Sequence, residues 1–218
     1  MNKPILMFDL GGVIEQHNFD DMAKYVSNKY NVNSDLFHGV MLKYLRMNDK
    51  CSINDGTLIK KINLDTGLNL TYEEFYNIYF KFVKTNYKMT DFLERLSAGG
   101  YRLALFSNTR HRHLRESEKR CNFKEVFDWI FISQMFGTRK PELKYYKLVL
   151  KKMGVKAENC IFIDDKNRNR EPADKLGIKF ILYKGSLVKL RNELIKYGVQ
   201  VPKNVKLKGI CKAHIHKI

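Results

Sequence analysis

Six polar residues stand just beyond apolar runs. Asp9 follows Ile5–Phe8, Ser107 and Asn108 follow residues 103–106, and Asp164-Asp165 follows residues 160–163. Lys140 sits in Arg139-Lys140-Pro141, shortly after the run 129–133. Transfer of a phosphoryl group to a carboxylate needs this set. Asp9 would attack phosphorus in line, giving an aspartyl-phosphate that splits one difficult hydrolysis into two easier steps. A carboxylate facing a phosphate dianion is repelled, so a hard cation must neutralise the pair. Mg²⁺ prefers oxygen ligands, which Asp9, Asp164 and Asp165 can supply. The Ser107 hydroxyl, Asn108 and nearby backbone N–H groups would bind the phosphoryl oxygens, and Lys140 would add positive charge where the transition state spreads negative charge. Taken singly, each has a plainer reading. Asp9 suits a turn or cap, Ser107-Asn108 a strand-end turn, Lys140 a solvated charge. The adjacent acids Asp164 and Asp165 repel each other and favour a cation.

Periodicity indicates which strands and helices carry these residues. Short apolar runs near 5–8, 103–106, 129–133, 160–163 and 179–183 read as buried parallel strands, and from Thr90 they alternate with helical patterns. Right-handed crossovers bring the carboxyl ends of such strands to one sheet edge, so Asp9, Ser107, Asn108, Lys140, Asp164 and Asp165 can converge there. The expected fold is α/β, a Rossmann-like parallel sheet flanked by helices. Between Asn18 and Tyr87 only helical patterns are expected. Asp20 or Asp21 and Ser34 or Asp35 are candidate caps, and Thr71 with Glu74 forms a capping box. This block reads as an inserted helical unit. The division is then a core of residues 1–15 and 89–198, a helical cap of 16–88, and a loosely attached basic tail of 199–218. His111 and His113 open a helix and read as exposed basic residues.

The chain has 218 residues, enough for a large core, and its 44% hydrophobic and 29% charged composition suits a globular protein. Its net charge of +17 comes from 40 Lys and Arg spread along the chain. That pattern decorates solvated faces, so a nucleic-acid partner is not expected although the surface is basic. Cys51, Cys121, Cys160 and Cys211 form no Cys-x-x-Cys pair. The apolar run before Asp9 is too short for a signal peptide and no stretch is long enough to span a bilayer, so a cytoplasmic protein without a membrane partner is expected. The sequence carries no signal for the oligomeric state.

Four stretches in order, Asp9-Leu10-Gly11-Gly12-Val13, Leu105-Phe106-Ser107-Asn108-Thr109, Arg139-Lys140-Pro141-Glu142, and Phe162-Ile163-Asp164-Asp165 followed by Asn169 and Gly177, resemble the haloacid dehalogenase-like hydrolase superfamily over about residues 3–198. The insertion after the first motif is similar to that superfamily's small helical cap. The run from Ile132 to Asn169 resembles the sugar-phosphate phosphatases of the glucose-1-phosphatase type. The resemblance implies strand order 5-4-1-2-3 with Asp9 central. It also implies Asp165 as main metal ligand with Asp164 supporting it, and a metal contact from the Gly11 carbonyl. One position departs from the pattern. Phosphatases of the superfamily carry a second Asp two residues after the nucleophile as proton shuttle, and here that residue is Gly11. A good leaving group, Glu15 or a cap residue would have to compensate.

The expected activity is Mg²⁺-dependent hydrolysis of a small phosphorylated metabolite. Two alternatives stay open: a 2-haloacid dehalogenase-type hydrolase, and a catalytically weakened relative that acts as a binding protein.

Overall fold

The structure is a computed structural model that describes residues 3–202; Cys211, His214, His216 and most of the basic stretch 199–218 lie outside the described residues. In chain order the elements begin with β1 (Ile5–Phe8) and β2 (Glu15–His17). The helices α1 (Phe19–Tyr30), α2 (Ser34–Asn48), α3 (Asp55–Thr66) and α4 (Tyr72–Lys81) follow, then β3 (Val83–Thr85) and α5 (Tyr87–Ala98). Next come β4 (Leu103–Ser107), α6 (His111–Glu118), α7 (Phe123–Val126) and β5 (Trp129–Ile132). The chain closes with α8 (Leu143–Met153), β6 (Cys160–Asp164), α9 (Arg170–Leu176), β7 (Lys179–Leu182) and α10 (Leu187–Lys196).

Five strands form one parallel sheet in the order β5-β4-β1-β6-β7. Counting the five sheet strands alone, this is the expected order with Asp9 on the central strand. Each strand sends alternate residues to opposite faces. Leu6, Phe8, Leu103, Leu105, Ile161 and Ile163 pack with α5 and α10 on one side. Met7, Ala104, Phe106, Phe131, Phe162 and Phe180 pack with α8 and α9 on the other. Burial on both faces explains why the strands read as unbroken apolar runs.

Helices α1 to α4 have their own apolar core, with Met22, Phe37, Met41, Leu58, Phe75 and Tyr76 buried in it. The Thr71–Glu74 capping box is present. Elsewhere the caps fall one to three residues earlier than expected. Asn18, Asn33 and Asn54 accept the first-turn N–H groups, while Asp20, Asp21 and Asp35 sit inside the first turns, where a negative charge favours the helix dipole.

Three further expectations are corrected. First, β2 and β3 form an antiparallel ribbon at the two ends of the helical insertion, and β3 lies within the stretch 18–87 where only helix was expected. Each is three residues long with one buried residue, too short to show alternation. Second, His113 is buried rather than exposed. Its Nε2 meets Glu15 Oε2 at 2.7 Å and its Nδ1 meets Tyr79 Oη at 3.0 Å. Arg120 Nη2 donates to Glu15 Oε1 at 2.6 Å, so Glu15 ties β2 to α6 and, through His113, to α4. Third, the start of the stretch 199–218 is not loose. Val199 is buried and the Gln200 N–H donates to Tyr101 Oη at 2.7 Å.

Burial is the largest influence on His113 and pushes its pKa down to about 4 against the attraction of Glu15. The unfolded imidazole takes up its proton near its ordinary 6.5, and the folded one only near 4. Protons therefore favour unfolding, and stability falls as pH drops through that window. Denaturant melts from pH 7 to 4 check this. His113→Gln is expected to be less stable at pH 7 yet to lose less between pH 6.5 and 4, and an unchanged slope would contradict the assignment.

Candidate active site

The carboxyl edge of the sheet holds the expected residues around one ammonium. Lys140 is 1% exposed, and all three of its donors are used: Asp164 Oδ2 at 2.7 Å, Asp9 Oδ1 at 2.9 Å and the Phe106 carbonyl at 2.9 Å. Its Nζ also lies 5.0 Å from the Phe162 ring centroid and 5.3 Å from that of Phe106. Burial alone would deprotonate such a lysine, but the two carboxylates outweigh it and hold its pKa above the usual value. Lys140 is therefore a fixed positive charge and not a surface lysine.

Asp9 is almost fully buried at the end of β1. Its Oδ1 takes the Leu10 N–H at 2.7 Å as well as Lys140. Burial is the main cause that raises its pKa to about 7; Asp164 adds to the rise, while Lys140 and the Ser107 hydroxyl oppose it. Asp164 is saturated, with Lys140 and Asn169 Nδ2 on Oδ2 and the Lys166 N–H on Oδ1. Asp165 differs. Its Oδ2 pairs with Lys166 Nζ at 2.7 Å, and its buried Oδ1 has no partner.

The Asn108 amide clamps the main chain of Lys140. Oδ1 accepts the Lys140 N–H at 2.7 Å and Nδ2 donates to the Lys140 carbonyl at 2.9 Å, leaving one amide N–H uncommitted. Two residues beyond Asp9, Gly11 and Gly12 let the loop turn tightly, with the Leu10 carbonyl accepting the N–H groups of Ile14 and Glu15. Gly12 has φ +79°, and a Cβ there would lie 2.2 Å from Asp165 Cγ. No side chain fits between the two motifs at that point.

A cavity of about 680 Å³ opens over these groups. Asp9, Gly11, Gly12, Ser107, Asn108, Lys140 and Asp165 line it, together with His17, Arg139 and Arg168. Nothing in the residue pattern singles out His17. It enters through the β2–β3 ribbon, whose pairing joins residues far apart in the chain. Glu15, one of the groups considered for the missing shuttle, does not line the cavity, and both its oxygens are occupied by Arg120 and His113. Burial would raise its pKa, but the hydrogen bond from His113, the nearby His17 and the Arg120 charge hold it well below its ordinary value.

Asp9, Asp164 and Asp165 each offer a carboxylate oxygen, and the three oxygens lie within 4.8 Å of one another. Such crowding, with a buried unpartnered oxygen on Asp165, fits a hard divalent cation.

Residues 7–183 match the haloacid dehalogenase-like hydrolase family, and this chain belongs to it. Among curated proteins, the chain is 32% identical over 87 residues to a glyceraldehyde 3-phosphate phosphatase of Methanocaldococcus jannaschii, covering 39% of this chain and 38% of that protein. The match thus spans less than half the length of that relative. Among solved structures, the chain resembles the HAD family enzyme bt-2542 of Bacteroides thetaiotaomicron in complex with magnesium and inorganic phosphate. The TM-score is 0.72 at 21% identity, over 87% of this chain and 99% of that one. It also resembles L-2-haloacid dehalogenase from Xanthobacter autotrophicus, with TM-score 0.63 and 14% identity over 89% of this chain and 83% of that one. At these identities the two structures share the fold with this chain.

Mg²⁺ titration followed by thermal melting tests the acidic cluster. A cation that binds only the folded state raises Tm. The rise is expected to grow between pH 6 and 8, as the Asp9 proton is lost, and to vanish in Asp165→Asn and in Gly12→Ala, where the new methyl displaces Asp165. An equal rise in all three proteins would show that the cation binds elsewhere.

Proposed function

We propose that this chain is a Mg²⁺-dependent phosphatase of a small phosphorylated metabolite, sugar phosphates being the first class to try, and that it works through an aspartyl-phosphate on Asp9. The observation that carries this reading is the buried Asp9–Lys140–Asp164 chain beside the unpartnered Asp165 oxygen. A dehalogenase-type reaction needs no Mg²⁺ to fill that oxygen. Asp165 and Asp9, with the Gly11 carbonyl, would hold Mg²⁺, and Asp164 would support them. When bound, the ion supplies positive charge that offsets the meeting of carboxylate and phosphate.

The chain's own groups do the rest. Leu10 N–H and Lys140 fix the Asp9 carboxylate through Oδ1, so that one of its oxygens can attack phosphorus while the other would face the cation. Lys140, already fixed, needs no reorganisation as charge spreads over the phosphoryl oxygens. Ser107 and the free amide N–H of Asn108 bind those oxygens. The helical unit of residues 16–88 serves as a cap that excludes water and selects the leaving group. A cytoplasmic setting is part of this reading.

The proton for the leaving oxygen falls to His17. A Cβ at Gly11 would lie 3.5 Å from His17 Cε1 and 3.9 Å from Nδ1, so the imidazole stands beside the position where the superfamily's shuttle aspartate is missing. On its other side the buried His17 Nε2 has no hydrogen-bond partner among the described residues and lies 3.9 Å from the Glu15 carboxylate.

Phosphate release from a metabolite panel, with and without Mg²⁺, tests the reading. Turnover is expected only with the ion, and Asp9→Asn is expected to fall to background. Release by Asp9→Asn at the wild-type rate, or no release from any ester, would sink it; halide release indifferent to chelator would support the dehalogenase instead. For His17→Ala, kcat/KM is expected to drop about 10²-fold on alkyl phosphates and only a few-fold on p-nitrophenyl phosphate, whose leaving group needs no proton. Equal losses on both would exclude His17 as the donor.

A further inference from the structure

Next to the main cavity lies a second hollow of about 350 Å³, and the two share Arg139, Lys140 and Arg168. Arg46 and Lys50 also line it. Three guanidiniums therefore meet from three separate elements: Arg46 from α2, Arg139 from the loop before α8, and Arg168 from the turn before α9. Their proximity is registered at Arg139. Burial is the main cause that lowers its pKa, Arg168 and Arg46 push it further down, and Asp49 and Glu142 pull against them.

The local acids do not neutralise this cluster. Asp49 is shared between Arg110 Nη1 at 3.3 Å and Arg139 Nη2 at 3.9 Å. Glu142 is taken by Lys50 at 2.5 Å and Thr138 at 2.8 Å. Among the described residues, no carboxylate lies within ion-pair distance of Arg46 or Arg168. The Arg139 Nε is buried and has no partner. Like charges held together around a concave surface, with a donor left over, make a site for an oxyanion, and guanidinium forks match its geometry.

We propose that this arginine cluster is a second anion site, and that the enzyme's substrate carries a second oxyanion, carboxylate or phosphate, beside the ester phosphate that meets Asp9. The proposal rests on the phosphatase reading of Asp9. Arg139 precedes Lys140, whose ammonium touches Asp9, so the two anions of one small molecule can be held at once. Arg46 belongs to the helical unit and Arg139 and Arg168 to loops at the sheet edge. The second anion therefore draws the cap onto the core and makes closure depend on the substrate's far end.

Three esters with one three-carbon tether test this: propyl phosphate, 3-phosphooxypropanoate and propane-1,3-diol bisphosphate. The kcat/KM for one of the two doubly anionic esters is expected to exceed that for propyl phosphate by about tenfold or more, the scale of one charge-assisted hydrogen bond. Which ester is preferred separates a carboxylate from a phosphate. Arg46→Ala and Arg168→Ala should each bring the ratio toward one. Lys60→Ala, an exposed charge lining neither hollow, should not. No preference in the wild type, or equal losses in all three variants, overturns the site and leaves only a general basic field. If no ester is hydrolysed, the phosphatase reading fails on its own. Calorimetric binding of the bisphosphate to Asp9→Asn, with and without Arg46→Ala, then decides the anion site. Unchanged affinity would overturn it, and a loss of about tenfold would uphold it.

Discussion

The site depends on one buried ammonium. Lys140 is removed from water at a cost that no single carboxylate would offset, and its position is stable only because Asp9, Asp164 and the Phe106 carbonyl take its three protons. These partners come from the ends of β1, β6 and β4. The ammonium therefore links three neighbouring strands where the sheet backbone itself runs out. The Asn108 clamp on the main chain of Lys140 and the Asn169 hydrogen bond to Asp164 fix the geometry from outside. With Asp164 saturated in this way, Asp165 is the acid left with an unmet oxygen, which separates the duties of two adjacent aspartates.

The loop that carries Asp9 onward is shaped by the same crowding. Gly12 lies so close to Asp165 that a side chain would displace the carboxylate, and its positive φ turns the chain back toward β2. From there Glu15 is pinned between Arg120 and His113, a network buried where the ribbon, α4 and α6 meet. Burial keeps His113 neutral while Glu15 stays charged, so the ribbon is anchored by the Glu15–Arg120 ion pair with a neutral imidazole hydrogen-bonded to it. The anchoring has a consequence for chemistry. It sets His17 at the cavity wall beside Gly11, the position that lacks a carboxylate.

The sequence showed much of this and missed definite parts. The sheet strands were legible because burial on both faces leaves uninterrupted apolar runs, and Thr71–Glu74 because a capping box is local. Asp9, Ser107, Lys140 and Asp165 were legible because strand ends in a parallel sheet share one edge. The β2–β3 ribbon was not legible, since its three-residue strands pair across the whole helical insertion. His113 read as exposed because a helix start rich in Arg and His gives no hint that one face lies under Tyr79 and Glu15. The anchoring of Val199 to the core was hidden for the same reason, a partner distant in the chain.

The order of elements, the central strand that ends in Asp9 and the set of polar groups at the sheet edge could all be read from the amino-acid sequence. These properties are written in local periodicity and residue type. What each group is left free to do emerges when distant parts of the chain come together. Asn108 is committed to clamping Lys140 with one amide N–H left over, Glu15 is removed from the cavity, His17 is brought in, and Arg46, Arg139 and Arg168 are assembled. The physical reason is that hydrogen-bonding capacity and burial belong to an environment. A side chain's chemistry is set by the partners it has already taken, and those partners come from other parts of the chain.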